Sequence, residues 1–266
     1  MQIKFNNEIL NTDAKTNIEF LSTKSKDEND VWIINGFCTK DEIILNENDE
    51  LFCIPRGKMP PHEALEAMMS SRHTPRVHKK LKKSYVAICG LGGLGSNIAV
   101  MLARIGIGKM LLIDFDIVEP SNLNRQSYFI ENLGQFKTKA LKDQLSKINP
   151  FIDINTINTK IDLNNIDTLF KDCDIVCEAF DNALAKAMLA QNFHKHYPNT
   201  ALICASGLAG YGNSNTIKTQ KIANNFYICG DLISAAKPGN GLMAPRVSLC
   251  AAHQANLVLE LLCDKG

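Results

Sequence analysis

A glycine-rich turn between a predicted strand and a predicted helix constrains the fold of this chain more than any other feature. The apolar run Tyr85–Cys89 is typical of a buried strand, and Gly90, Gly92 and Gly95 follow it in the spacing G-x-G-x-x-G. Glycines at this spacing allow a tight turn and let a phosphate approach the backbone at the partly positive N-terminal end of a helix. The turn therefore predicts a nucleotide-binding α/β fold.

The chain after this turn alternates between strand and helix patterns. Predicted strands lie at 109–114, 152–158, 174–180 and 201–206, and predicted helices lie at 95–105, 137–148, 183–196 and 243–263. Strands that alternate with helices pair in parallel, because each helix carries the chain back to the start of the next strand. We therefore predict an α/β fold with a Rossmann-like, doubly wound sheet.

Residues 1–58 have the pattern of a small β-rich unit with an excess of acidic side chains. We expect strands at 1–7, 31–37, 42–45 and 50–55, and a short helix at 18–23. A Pro-Pro turn then begins a segment in which basic side chains are in excess. The predicted organisation is an N-terminal domain at 1–58, a helical connector at 59–84 and a nucleotide-binding domain at 85–266.

Composition restricts the partners and the compartment. The 29 basic and 28 acidic residues give a net charge of +1, so there is no electrostatic argument for a nucleic-acid or anionic-membrane partner. No apolar run approaches the roughly 20 residues that cross a bilayer, and the first residues lack a leader pattern. The nine cysteines form no C-x-x-C pair, as expected for buried apolar side chains in a reducing compartment. The sequence therefore predicts a cytoplasmic protein without a zinc site.

Four charged residues after the glycine-rich turn predict the chemistry of the site. Asp114 ends a strand about 20 residues later, where a carboxylate can accept hydrogen bonds from ribose hydroxyls. Arg125, in a polar loop, and Lys137, at the start of a helix, are two cations directed toward the phosphates. A triphosphate that loses pyrophosphate needs such cations, because charge accumulates on the leaving group. Asp181 follows the strand at 174–180, where it is suited to hold Mg²⁺.

Each of these residues has a structural alternative. Asp114 and Asp181 could cap a turn or a helix, and Arg125 and Lys137 could be solvated surface charges. The glycine pattern alone is also typical of an NAD- or FAD-binding oxidoreductase, or of a non-catalytic nucleotide-binding protein. Hydride transfer requires neither the two cations nor Asp181, so their combination favours a triphosphate as the ligand.

The combined motifs resemble the ThiF/MoeB adenylyltransferases, which are relatives of the ubiquitin-activating enzymes. The resemblance covers residues 65–263 and is carried by GLGGLGS at 90–96, DFDIVEPSNLNRQ at 114–126, GQFK at 134–137, DN at 181–182 and MAPRVSLCAAHQAN at 243–256. It implies a sheet of the ubiquitin-activating type with ATP and Mg²⁺ as cofactors. The nucleotide-binding residues that it implies are Gly90, Gly92, Gly95, Asp114, Asn122, Arg125, Lys137, Asp181 and Asn182, with Asp181 as the metal ligand.

The resemblance also implies a reaction and an assembly. Arg72 resembles the family's arginine that reaches into the active site of a partner subunit, which implies a homodimer. The implied reaction is ATP-dependent adenylation of the C-terminal glycine of a sulfur-carrier protein that ends in Gly-Gly, followed by sulfur transfer from a persulfide donor. Thiamine thiazole biosynthesis is the expected pathway, and Arg125, Lys137, Asp181 and Arg72 are the expected catalytic residues.

Two segments depart from the family pattern. The N-terminal unit resembles a ThiS-type carrier with a β-grasp, ubiquitin-like fold, but Gly57 continues into Lys58, so the unit has no free Gly-Gly carboxylate to adenylate. Phe226 stands where many relatives have the first cysteine of a zinc-binding pair, so we infer that zinc is lost. Cys229 is either a structural thiol or a sulfur-handling one.

Overall fold

The computed structural model describes residues 1–73 and 76–264, apart from the side chains of Glu63 and Asp264. It divides the chain into two units, Met1–Lys79 and Lys80–Gly266. The division falls inside the segment predicted to connect the two domains.

A five-stranded mixed sheet forms the centre of the N-terminal unit. Its elements are β1 (Gln2–Phe5), β2 (Glu8–Asn11), α1 (Asn17–Ser22), β3 (Val31–Ile34), β4 (Phe37–Cys38), β5 (Glu50–Ile54) and α2 (His62–Ser70), and α3 (Val77–Leu81) crosses into the second unit. The strand order is β2-β1-β5-β3-β4, with β1 and β5 paired in parallel at the centre. Phe20 and Leu21 of α1 pack with Ile3 and Leu51 in the core of this unit, as expected for a β-grasp fold.

The predicted strand at 42–45 is wrong. Only Ile44 pairs there, in an isolated bridge with Thr16. The Asn17 amide accounts for the difference, because it donates to the Asp41 carbonyl at 2.9 Å and accepts from the Ile43 backbone N–H at 2.6 Å. Backbone groups that a strand would need are therefore bonded to a side chain of α1.

A seven-stranded sheet forms the second unit and confirms the predicted α/β fold. Its strands are β6 (Tyr85–Cys89), β7 (Lys109–Ile113), β8 (Asp153–Ile157), β9 (Ile175–Glu178), β10 (Ala201–Ala205), β11 (Lys218–Ala223) and β12 (Phe226–Gly230). The order is β11-β12-β10-β9-β6-β7-β8, and every neighbouring pair is parallel except β11 with β12. The last two strands were not predicted.

In the described part of the chain, five α-helices accompany this sheet. They are α4 (Gly93–Arg104), α5 (Lys137–Ile148), α6 (Ile166–Leu169), α7 (Ala183–His196) and α8 (Ala244–Asp264). The predicted bounds of α5 and α7 are confirmed, and the shortest helix, α6, was not predicted. Among the described residues, no helix combines the length and the hydropathy needed to cross a bilayer.

The strand order reverses between β6 and β9. From β6 the chain continues to β7 and β8 on one side, and it then returns to β9, β10 and β12 on the other side. Open α/β sheets bind ligands beyond the carboxyl ends of their strands at such a reversal. Turns that follow β6, β7 and β9 therefore meet at the edge where a ligand is expected.

Candidate active site

Close backbone contacts explain the glycines of the predicted phosphate turn. Gly90 has a φ of +87°, and a Cβ there would lie 2.9 Å from the Ala179 carbonyl oxygen. A Cβ on Gly95 would lie 1.9 Å from the Gly90 carbonyl oxygen. Gly92 is the N-cap of α4, and no side chain among the described residues caps that helix. The start of α4 is therefore free of a competing side chain and fits an anionic ligand.

Asp114 links the glycine-rich turn to the end of β7 through hydrogen bonds. Its buried carboxylate accepts from the Leu91 backbone N–H at 2.6 Å and from the Asp116 backbone N–H at 2.8 Å. Tyr128 donates its hydroxyl to the Leu91 carbonyl at 2.8 Å. Burial and the neighbouring Asp114 raise the pKa of Tyr128, so this hydroxyl stays a donor. Asp114 has the turn-capping role, and each of its oxygens keeps a lone pair for the predicted ribose contact.

Lys137 is buried, so the surface-charge alternative is wrong for this residue. Its side chain is 7% exposed, and Nζ lies 3.0 Å from a carboxylate oxygen of Asp116. Because Lys137 begins α5, it lies near the partly positive end of the helix, where a cation is unfavourable. Asp116 offsets that charge, and its carboxylate is the half-exposed member of the pair, so contact of Lys137 with a phosphate stays a prediction.

Two neighbouring side chains present unpaired polar atoms near the start of α4. The Cγ atom of Arg125 lies 3.3 Å from a Cβ placed on Gly93, and its Nη1 donates to the Ser121 carbonyl and the Asn124 side chain. Its Nε is buried, as is Oε1 of Gln126, and neither has a hydrogen-bond partner in the described part of the chain. Buried polar atoms are normally paired. A bound phosphate would supply an acceptor for the Arg125 Nε.

The two predicted asparagines make local hydrogen bonds. Asn122 accepts from the Glu119 backbone N–H at 3.0 Å. Asn182 caps α7, since its side-chain oxygen accepts from the Leu184 and Ala185 backbone N–H groups at 2.9 and 3.0 Å. Their nucleotide contacts stay predictions that would involve the amide NH₂ groups.

Asp181 has an exposed side chain that, unlike that of Asn182, makes no hydrogen bond to the described residues. Mg²⁺ sites in nucleotide enzymes commonly use one or two protein carboxylates together with substrate phosphates and waters. Within residues 1–73 and 76–264, no three His, Cys, Asp or Glu side chains converge as a metal site. A single unpaired carboxylate at the end of β9 fits a metal that arrives with its nucleotide.

A buried ion pair that the sequence analysis missed shapes the turn before Asp181. Glu178 is fully buried and lies 2.8 Å from Nζ of Lys186, which also donates to the Ala205 carbonyl at 3.0 Å. The same carboxylate accepts from the Phe180 backbone N–H at 2.6 Å. An acidic residue inside the apolar run DIVCEAF was the available signal.

Replacing Glu178 by alanine is expected to lower the free energy of unfolding by about 2 kcal/mol, because the Phe180 backbone N–H and the partly buried Lys186 ammonium both lose their acceptor. Urea unfolding measures the change. Lys139→Ala is the matched control, since it removes an exposed ion pair with Asp143 at 2.6 Å and should cost at most about 0.5 kcal/mol. Equal effects of the two substitutions would contradict a structural role for Glu178.

The thiol of Cys229 is fully buried, and burial raises its pKa to about 11 although a hydrogen bond between Thr219 and Cys229 opposes the shift. Burial likewise raises the pKa values of Cys173 and Cys250 to about 12. The thiolate is the nucleophile in sulfur chemistry. The structural alternative for Cys229 is therefore favoured over the sulfur-handling one.

These thiols predict a loss of stability at alkaline pH. An unfolded cysteine ionises near pH 8.5, whereas folded Cys229 ionises near 11. Stabilisation is therefore complete below about pH 8.5 and is lost as the pH rises through the folded value, at up to about 1.4 kcal/mol per pH unit for each thiol. Urea unfolding at about pH 8 and about pH 10 measures this slope, and Cys229→Ala should reduce it. An identical slope in the variant would contradict the shift.

Arg72 belongs to the N-terminal unit, where it is exposed in the turn after α2. Its predicted reach into a partner's site stays a prediction.

Comparison with known proteins identifies relatives of both units. The ThiF family matches residues 66–266, and the ThiS-like ubiquitin family matches residues 1–57. Molybdopterin-synthase adenylyltransferase of Escherichia coli strain K12 is 31% identical over 192 residues, which are 70% of this chain and 76% of that protein. The tRNA threonylcarbamoyladenosine dehydratase of Haemophilus influenzae is 33% identical over 137 residues, 51% of this chain and 52% of that protein.

A solved structure has the same fold as this chain. It is the Escherichia coli tRNA N6-threonylcarbamoyladenosine dehydratase in complex with ATP, with a TM-score of 0.67 and 18% identity, covering 78% of this chain and 98% of that one. The ThiF match spans most of the chain, including the glycine-rich turn and the carboxyl edge around it. The chain therefore belongs to the ThiF family and carries a ThiS-like ubiquitin unit at its N-terminus.

Proposed function

We propose that this protein adenylates the C-terminal glycine of a separate sulfur-carrier protein that ends in Gly-Gly. A carboxylate oxygen of the carrier attacks the α-phosphorus of ATP, the bond to pyrophosphate breaks, and an acyl-adenylate forms. The observation that carries the proposal is the convergence of the glycine-rich turn, Asp114 and the unpaired Asp181 at one edge of the sheet. The adenylyltransferase relative at 31% identity supports the same reaction.

The reaction needs no protein nucleophile, because the acceptor carboxylate is itself the attacking group. The residues of this chain therefore act by positioning and by stabilising charge. In our proposal Asp114 orients the ribose, the start of α4 binds phosphate, and Arg125 and Lys137 stabilise the leaving pyrophosphate. Asp181 would hold Mg²⁺, which when bound neutralises phosphate charge.

Thiamine thiazole synthesis is the pathway we propose, with a persulfide donor that converts the adenylate to a thiocarboxylate. The ThiS-like match of residues 1–57 is the observation that motivates this choice of pathway. Because Gly57 continues into Lys58, the acceptor is a second protein and not this unit. The net charge of +1 supports a protein acceptor over a tRNA, and a reducing, ATP-containing cytoplasm is the proposed location.

Carrier-dependent exchange of labelled pyrophosphate into ATP tests the proposal. Exchange should require a carrier that ends in Gly-Gly and should disappear when its last glycine is removed. Thermal unfolding with MgATP or with NAD addresses the oxidoreductase alternative, since saturation of a site at about 100 Kd stabilises by about 2.7 kcal/mol. Stabilisation by NAD alone, without exchange, would favour the alternative.

We further propose a homodimer in which Arg72 serves the partner's site. Mixing inactive Arg72→Ala with inactive Asp181→Ala should then restore activity, because each mixed dimer contains one site with both native residues. Restored exchange should reach about a quarter of the wild-type rate if subunits mix freely in a symmetric dimer. Subunit mixing is confirmed with differently tagged chains. Mixed dimers without activity would show that Arg72 does not act in the partner's site.

A further inference from the structure

Arg246 joins two loops that sequence analysis did not connect. We define the edge loops as residues 206–217, which follow β10, and residues 231–243, which follow β12. Arg246 is 5% exposed. Its guanidinium donates to the carbonyls of Gly212 and Asn213, to the Thr216 hydroxyl and, at 2.7 Å, to the Asp231 carboxylate.

The edge loops are also interlocked through their backbones. The Ala209 N–H donates to the Ser234 carbonyl at 3.0 Å, and the Gly210 N–H donates to the Gly241 carbonyl at 2.8 Å. Gly207 has a φ of +75°, and a Cβ there would lie 2.1 Å from the carboxylate of Asp231. The two loops therefore hold one joint conformation around the carboxylate of Asp231.

The position of Arg246 destabilises the helix to which it belongs, α8. It lies in the first turn of α8, where a cation opposes the helix dipole, and burial adds a desolvation cost. Burial also opposes ionisation of Asp231, but hydrogen bonds from Ser234, Ile233 and Arg246 lower its pKa to about 2. The ion pair thus stays charged at neutral pH, and its bonds serve the edge loops rather than the helix.

The edge loops flank the proposed nucleotide site. Residues assigned to ATP follow β6, β7 and β9, whereas the edge loops follow β10 and β12 on the far side of β9. Tyr211 and Ile233 expose 89% and 86% of their surface on these loops. Asp231 is the only acidic residue in them, and Arg246 neutralises it. An acceptor carboxylate that crosses this surface meets no unpaired negative charge.

We propose that Arg246 and Asp231 are positioning residues that shape the surface on which the flexible C-terminal segment of the acceptor protein lies. The inference rests on the proposed adenylation and specifies which part of the fold receives the acceptor. A surface that exposes Tyr211 and Ile233, and on which Lys237 is an exposed cation without a side-chain partner among the described residues, fits a chain end that carries a carboxylate. The ion pair keeps that surface in one conformation before the acceptor binds.

The test separates acceptor binding from nucleotide binding in the full-length protein. For Arg246→Ala we expect the KM for a purified Gly-Gly-terminated carrier to rise about 10- to 100-fold, since small displacements of a positioning element have effects of that size. The Kd for MgATP, measured by calorimetry, should change less than about twofold, because the described hydrogen-bond partners of Arg246 include none of the proposed nucleotide residues. Arg246→Lys should restore part of the KM.

Lys218→Ala is the matched control, because it removes an exposed cation next to the edge loops and should leave both constants unchanged. If Arg246→Ala does not fold, Asp231→Asn is measured in its place and should also raise the KM. If the wild type shows carrier-dependent exchange, the proposed function stands. The inference about Arg246 would then be overturned by a variant with an unchanged KM, or by one that loses carrier binding and MgATP binding equally. Absence of carrier-dependent exchange in the wild type would overturn both.

Discussion

Replacing Asp181 by alanine is expected to abolish carrier-dependent ATP–pyrophosphate exchange and to leave the fold intact. The side chain is exposed and makes no hydrogen bond to the described residues, so its removal costs the fold no contact. Its position after β9, beside the glycine-rich turn after β6, is where a nucleotide-bound cation would need a carboxylate. Loss of that ligand would leave the phosphate charge uncompensated at the moment pyrophosphate departs.

Exchange assays and urea unfolding on the same samples separate a loss of activity from a loss of stability. Asp172→Ala is the matched control, because Asp172 is exposed and lies near the amino end of β9, at the opposite edge of the sheet. That variant should retain wild-type exchange. Calorimetry with ATP over a series of Mg²⁺ concentrations should show that Asp181→Ala requires more Mg²⁺. Retained exchange in Asp181→Ala would remove this residue from the site.

Local patterns predicted much of the second unit because its strands and helices follow simple periodicities. The apolar strands β6, β9 and β10 and the bounded helices α5 and α7 depend on residues close in sequence. The N-terminal strand at 42–45 was predicted wrongly because Asn17, distant in sequence, bonds to that backbone. β11 was missed because its residues are mostly polar and exposed, so it carries no apolar alternation.

The two ion pairs that the sequence patterns did not predict have a common physical origin. Glu178 and Lys186 meet because a strand and the next helix bring them together, and Arg246 reaches Asp231 from a later helix. A sequence shows only that charged residues are present, and burial turns some of them into structural partners. By contrast, the glycine-rich turn and Asp114 could be located in advance because their spacing is characteristic, and their contacts with a nucleotide stay predictions.

Replacing Arg125 by alanine is expected to reduce the rate of exchange about 10²- to 10³-fold, the effect typical of deleting one preorganised donor that stabilises developing charge. The stem of Arg125 packs at the start of α4, and its buried Nε has no partner among the described residues. A donor fixed in this way loses little freedom when phosphate binds. The alanine variant should therefore lose kcat more than ATP affinity.

Arg104→Ala is the matched control for Arg125→Ala. Arg104 is an exposed arginine in the last turn of α4, whereas Arg125 packs against the first turn of that helix. Arg104→Ala should leave exchange unchanged and lower stability by less than about 1 kcal/mol, the value of one cation at a helix C-terminus. Arg125→Lys tests whether charge alone suffices. Lysine cannot reproduce the planar Nε and Nη donors, so this variant should recover only part of the rate. If Arg125→Ala lowers the exchange rate by less than about threefold, the loss is far smaller than is typical of such a donor. Arg125 would then be a surface charge, and Lys137 would be the main phosphate-binding cation.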